Sequence, residues 1–508
     1  MKKVILGSVV VLILATVFMR GMQAQALSAG MSACEVKVHG EKLPARCGSV
    51  TVPENRADAD SRLITLPVTQ ILATSDVVAE PIFYLAGGPG MTNMKFQPPL
   101  GLLQNHDVVL VGYRGVDGSV KLDCDEVKTA VTGTGNDLFS AASQDNLSKA
   151  IAACSQRLTS EGVDLAGYTI PEVVADMEAA REMLGYGRIN LLSESYGTRV
   201  AQIYAQIASE SISRSVMIGV NTPGHFVWEP EVIDGQLAQY AALCAADADC
   251  QARTDDLVAT MREVNGNMPA SWMGMSINPG KVKAVTFALL FHPNTAVFVI
   301  DAYLSASEGD ASGLAMLSQA YDLLIPNMSV WGEFFAKGYS SDYDASRDYN
   351  DLADPDSVMG SPMAQLLWPV ADGWNGAVID ETYRQVQPSS VETLLIGGDI
   401  DFSTPVQFAT EELLPSLENG QQVILKNMGH TNDVWNAQPE ATEHLLVTYF
   451  ATGAADDSGY VDQAISFAPG VTLSIIAKGL PGLGILLMLL VGLVLYKLIK
   501  SRRSKSGL

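Results

Sequence analysis

The sequence predicts an α/β protein: a mostly parallel sheet with helices on both faces, interrupted by an inserted helical lobe. Three observations carry this reading. Short, continuously apolar runs of strand length recur along the chain, as expected of strands buried on both faces. Helical patterns lie between several of them. The rhythm stops between about residues 224 and 389, turns helical, and then resumes. The 508 residues exceed one average domain, and a content of 48% hydrophobic and 7% aromatic residues suffices for a large core.

Residues 1–26 read as a secretion leader. Lys2 and Lys3 precede an apolar stretch from Val4 to Met19, and Ala24-Gln25-Ala26 fits a small-residue cleavage site. An uncleaved anchor is the alternative. Residues 47–69 alternate apolar and polar around a turn-rich centre, which is a hairpin pattern. Buried-strand runs follow at 81–86, 107–112, 188–192, 215–218, 392–396 and 422–425. Helical patterns stand out at 171–184 and 198–209. In the second, Val200, Ile203, Tyr204 and Ile207 share one face.

These elements divide the body into a first core part (27–224), a helical cap or lid (225–388) and a second core part (389–453). The cap carries an acidic loop, "SSDYDASRDYNDLADPD". Residues 454–478 read as a linker. Gly479 to Tyr496 is an apolar run long enough for a bilayer, bracketed by Lys478 and Lys497, and residues 479–497 read as a transmembrane helix. The tail 498–508 holds Lys500, Arg502, Arg503 and Lys505, and basic residues stay cytoplasmic. Both ends therefore predict an exported body on one carboxy-terminal membrane anchor. A sorting signal that is later cut away has the same outline.

Charge and cysteines narrow the function. Against 32 Lys+Arg stand 56 Asp+Glu, a net charge of −24, which repels nucleic acid. Six cysteines in an exported chain predict disulfides. They fall into neighbouring couples, Cys34 with Cys47, Cys124 with Cys154 and Cys244 with Cys250, and this is the preferred pairing. There is no Cys-x-x-Cys and no histidine cluster, so neither a metal nor a cofactor is expected.

The chemistry centres on "NLLSESYGTRVAQIYA". An apolar strand runs into a tight turn and a helix, with Ser195 at the turn. Such a junction lifts a serine hydroxyl clear of the backbone and leaves the Tyr196 amide free at a helix start. The familiar pattern is Gly-x-Ser-x-Gly. Here Gly197 is present, while Ser193, small enough to be tolerated, replaces the first glycine. Upstream, "YLAGGPGMT" places a glycine-rich turn straight after a strand, and the Gly88 amide is the candidate partner of Tyr196 in an oxyanion hole.

A serine needs a base and the base needs an acid. In this kind of fold the order along the chain is serine, acid, histidine, which leaves His430 and His444. His430 sits in a loop following a strand ("KNMGHTND"), whereas His444 sits in a helical pattern. For the acid, "GGDIDFSTP" offers Asp399 and Asp401. Asp401, nearer Ser403-Thr404-Pro405, is preferred, and the other would cap the turn.

The segments "CGSVTVPENR", "GGPG", "LVGYRGVDGS" with "LDC", "SESYGTRVAQIYA", "GGDIDFSTP" and "GH" run in order from Cys47 to His430. In this order they resemble the α/β-hydrolases of the tripeptidyl-aminopeptidase and proline-iminopeptidase type, serine peptidases of the S33 group. The resemblance implies the α/β-hydrolase fold, Ser195 as nucleophile, Asp401 as acid, His430 as base, and Gly88 with Tyr196 as oxyanion hole. It also implies a helical cap that restricts substrates to free amino ends. Two departures stand out: Ser193 itself, and "GYRG" at 112–115 where such hydrolases often have Asp-Gln-Arg-Gly. By the same resemblance, acidic residues at the start of the cap would pair the substrate's ammonium group, here Glu229 and Glu231 in "HFVWEPEVIDGQ".

The expected function is an exported, membrane-anchored serine aminopeptidase acting on peptides with a free amino end. An esterase with the same triad is the alternative. A non-catalytic binding protein of this fold should have lost part of the triad, and all three members are present in the sequence.

Overall fold

The computed structural model describes residues 30–479, except 134 and 136. The predicted leader 1–26, the apolar run 479–497 from its second residue onward, and the tail 498–508 lie outside the described residues. Among the described residues no helix is long and apolar enough to cross a membrane.

One nine-stranded sheet organises the chain. Its strands are β1 (Ser32–Val38), β2 (Glu41–Pro53), β3 (Leu63–Ile71), β4 (Ile82–Leu85), β5 (Val108–Val111), β6 (Ile189–Glu194) and β7 (Ile212–Ile218). A two-residue hairpin, β8 (Ser271–Trp272) and β9 (Met275–Ser276), stands apart, and β10 (Glu392–Gly398) and β11 (Gly420–Leu425) complete the sheet. The order is β1-β2-β3-β5-β4-β6-β7-β10-β11. From β5 to β11 every pairing is parallel, while β1, β2 and β3 add an antiparallel edge.

The apolar runs explain this layout. β4 (IFYL) and β5 (VVLV) are buried at every residue. Strands without a polar face need cover on both sides, and the crossover helices supply it. The expected hairpin is β2–β3, with Cys47 opposite Thr69. β1 ahead of it went unpredicted: its alternation is short, and its pairing partner is needed to recognise it. The Cys34–Cys47 disulfide ties β1 to β2; Cys124–Cys154 and Cys244–Cys250 are also formed.

Between β7 and β10 the chain is helical apart from the β8–β9 hairpin. Helices such as α3 (Pro230–Ala246) and α4 (Trp331–Asp342) follow α1 (Ile170–Leu184) and α2 (Tyr196–Ala208) of the sheet layers. After β11 come α5 (Thr431–Asn436) and α6 (Pro439–Thr452). The helical segment docks onto the strand ends: Trp228 donates to the Ser403 carbonyl (2.8 Å), and the Tyr196 hydroxyl meets Ser341 Oγ (2.7 Å). The segment expected as a linker has no regular structure from residue 454 to about 469, yet it is tied to the body. Tyr460 bonds Thr442, the Asn427 side chain donates through Nδ2 to the Gln463 carbonyl, and Phe467 is buried.

Candidate active site

Ser195 stands between β6 and α2 with φ +52° and ψ −129°. A non-glycine residue holds this backbone only where its surroundings impose it. They do: the Ser195 amide donates to the Ile218 carbonyl (2.8 Å), and its own carbonyl accepts from Thr198 Oγ1 (2.6 Å). Gly197 has no alternative here, because a Cβ would press into the Leu85 and Ala86 carbonyl oxygens of the neighbouring strand.

Ser193 is different. Its side chain is fully buried, and its hydroxyl donates to the Val216 carbonyl of β7 at 3.0 Å. The departure from glycine therefore fits the sheet and satisfies its own polar atom. Ser193→Gly should leave kcat/KM within about twofold and cost about 1–2 kcal/mol in unfolding free energy, from the lost hydrogen bond and the freer strand backbone. A denaturant titration beside a rate assay checks this.

The His430 Nε2 lies 2.9 Å from Ser195 Oγ, and its Nδ1 lies 2.8 Å from Asp401 Oδ2. The imidazole is held from several directions. The His430 backbone amide donates to the Phe291 carbonyl (2.7 Å), and the Phe291 ring meets the imidazole edge-on at 5.6 Å between centroids. Asp401 is wholly buried and accepts from the amides of Ser403 and Thr404 (both 2.9 Å) and from Thr404 Oγ1 (2.7 Å). Asp399, two residues earlier, points elsewhere and accepts from the Asn427 amide at 2.7 Å. Burial, the largest influence on it, pushes its carboxyl above the ordinary range. His444 is exposed and pairs with Asp456.

Tyr196 is the first residue of α2, where an amide has no intrahelical acceptor. Gly88 lies on the turn after β4 with φ +110°, a conformation that favours glycine. Gly87 beside it leaves no room for a Cβ against Ser195. The turn is fastened from both lobes. Asn93 accepts from the Ala86 amide and donates to the Val111 carbonyl, each at 2.7 Å. Ser329, just before α4, donates to the Pro89 carbonyl at 2.7 Å, and the Val330 amide donates to the Gly90 carbonyl.

Glu229 and Glu231 lie at the start of α3. Glu229 is gripped bidentately by Arg347 (2.6 and 2.8 Å), so its charge is already neutralised, and Glu231 is exposed. Neither lines the cavity of about 1340 Å³ that runs past the Ser195 turn, and Ser195, His430, Gly88 and Tyr196 lie outside its lining as well. Glu194, the residue before Ser195, does line it, with Tyr84, Phe96 and Trp435. Sequence reasoning passed over Glu194 although it stands inside the serine motif, because a residue at that position carries no fixed role in the pattern.

Comparison with known proteins agrees with this architecture. Residues 80–242 match the family described as alpha/beta hydrolase fold, and residues 358–461 match the family described as TAP-like protein. A tripeptidyl aminopeptidase of Streptomyces coelicolor is 26% identical over 81% of this chain and 82% of its own length. The serine protease Hip1 of Mycobacterium bovis is 26% identical over 44% of this chain and 45% of its own. A putative hydrolase of Escherichia coli, YuaR, is 25% identical over 41% and 44%.

Proposed function

We propose that this chain, an α/β hydrolase similar to the S33-type tripeptidyl aminopeptidases, is an exported serine aminopeptidase, held to the membrane by its carboxy-terminal apolar run. It releases residues or short peptides from free amino ends. The observation that carries the reaction class is the unbroken hydrogen-bonded line from Ser195 Oγ through His430 to Asp401.

In this reading His430 Nε2 takes the Ser195 proton as Oγ attacks the scissile carbonyl carbon. The carbonyl oxygen becomes an oxyanion facing the amides of Gly88 and Tyr196. The imidazolium, steadied by Asp401, returns the proton to the leaving amine as the C–N bond breaks. Water then repeats the sequence on the acyl-enzyme and frees the carboxylic acid and Ser195. The restriction to free amino ends draws support from the named activity of the Streptomyces relative and from the helical segment packed over the strand ends.

The test is an assay of the full chain on fluorogenic amides, single-residue, prolyl and tripeptide, together with an amino-blocked tripeptide and a short acyl ester. Cleavage confined to free-amino amides and abolished in Ser195→Ala is the expected result. Hydrolysis of the ester alone, through Ser195, would replace the peptidase reading by an esterase.

A further inference from the structure

We infer that Glu194, walled by the rings of Tyr84, Phe96 and Trp435, is the subsite that receives the substrate's terminal ammonium group. The inference rests on the peptidase reading above and names the residues that would read the free amino end.

The cavity beside the nucleophile turn, about 1340 Å³, is large enough for a short peptide. Its wall includes the end of β4 and the last residue of β6. Glu194 directly precedes Ser195, and neighbouring Cα atoms stand only ~3.8 Å apart. Its partner Trp435 lies on α5, the helix that begins just after His430, so the carboxylate stands beside the triad from two sides.

The carboxylate's partners are all neutral. Tyr84 donates to Oε1 and Trp435 Nε1 donates to Oε2 at 2.7 Å. Burial first, and the Glu194 charge second, push the Tyr84 phenol well above its ordinary range, so it stays a donor. Two hydrogen bonds leave a carboxylate with acceptor positions to spare. Among the described residues no lysine, arginine or histidine comes within ion-pair distance of it. The cavity's Lys95 and Lys121 are exposed and do not pair with it. Glu229, by contrast, already has Arg347.

The rings shape what can approach. Tyr84 and Phe96 stack at 3.7 Å between centroids, and Trp435 meets Phe96 edge-on at 5.7 Å. A carboxylate against aromatic walls suits an organic ammonium carrying apolar substituents, which gains from both charge and ring face.

The full chain carrying Glu194→Gln tests this on free-amino amides and on a neutral acyl ester. The amide keeps the size of the side chain and removes its charge. The expected result is a fall of about 10- to 100-fold in kcat/KM for free-amino amides, mostly through KM, with the ester, compared at a pH above the His430 titration, within about twofold. Equal losses on both substrates would mean a structural role and overturn the inference. So would a variant that keeps the wild-type preference for free amino ends. A wild type without that preference would overturn the peptidase reading itself, and this subsite with it. Should Glu194→Gln fail to fold, Glu194→Asp keeps the charge but withdraws it by one methylene. A KM increase confined to free-amino amides is then expected, and an unselective change counts against the subsite.

Discussion

Asp401→Asn should lower kcat by about 10⁴-fold while leaving KM near its wild-type value, and Asp399→Asn should change kcat by less than about threefold. The asymmetry follows from where the two side chains go. Asp401 Oδ2 meets His430 Nδ1 at 2.8 Å, whereas Asp399 is spent on the Asn427 amide. An amide at 401 can present its N–H to Nδ1 and so favour the tautomer whose proton sits on Nε2, facing the serine it should deprotonate. Similar losses at both positions would defeat the assignment.

The pH profile gives the same pair an independent readout. Burial alone would push the His430 imidazole down, but the charge and hydrogen bond of Asp401, with the fields of Glu194 and Asp433, outweigh it. The net result is a pKa above the ordinary 6.5. In the proposed mechanism the neutral imidazole is the base, so kcat/KM should fall as pH drops through that raised value. In Asp401→Asn the residual activity should show this limb at lower pH. The sign for stability is opposite: a raised folded-state value favours the protonated imidazole. The pair's contribution is then complete below the unfolded value near 6.5 and fades as pH rises through the folded one.

How much of this was legible beforehand depended on how local each signal is. The nucleophile turn is a strand, a turn and a helix in one short stretch, so Ser195 and Gly197 could be read directly. The fitness of Ser193 could not, because the carbonyl that accepts its hydroxyl belongs to Val216 on another strand. Asp401 and Asp399 are equivalent in a string of letters; the amides of Ser403 and Thr404 separate them by turning one carboxylate toward the imidazole. Glu229 looked available for a substrate cation because its partner, Arg347, lies more than a hundred residues away. Glu194 was overlooked for the converse reason: its surroundings, Tyr84 and Trp435, arrive from opposite ends of the core. The cavity itself joins loops after β4 and β5, the turn before α4, and α5, and no local pattern announces such a meeting.

The departure "GYRG" supports the second large effect. Arg114 is fully buried, and Arg114→Leu should cost about 3–5 kcal/mol in unfolding free energy. Its Nε and Nη2 hold both oxygens of Asp176 at 2.6 Å, Nη1 reaches the carbonyls of Glu54 (2.5 Å) and Gly167, and Nη2 reaches that of Pro53 (3.2 Å). These contacts fasten β2 and α1 to the loop after β5. Arg56 also touches Asp176, at 2.7 Å, but only one oxygen, so the buried carboxylate would stay half-paired. The two neighbours that replace the expected residues serve packing. At Gly112 a Cβ would collide with Asp117 and Pro67, and Tyr113 carries its hydroxyl to the Ala86 carbonyl beneath the glycine-rich turn. The arginine thus serves the fold, and Gly112 and Tyr113 fit the loop beside it. Removing Asp176 as well, in Arg114→Leu with Asp176→Leu, should restore part of the loss, because the expense of the single variant lies in the orphaned charge. Unfolding midpoints of wild type, single and double variants decide the matter. A single variant within about 1 kcal/mol of wild type would show that Arg56 alone can hold the buried acid.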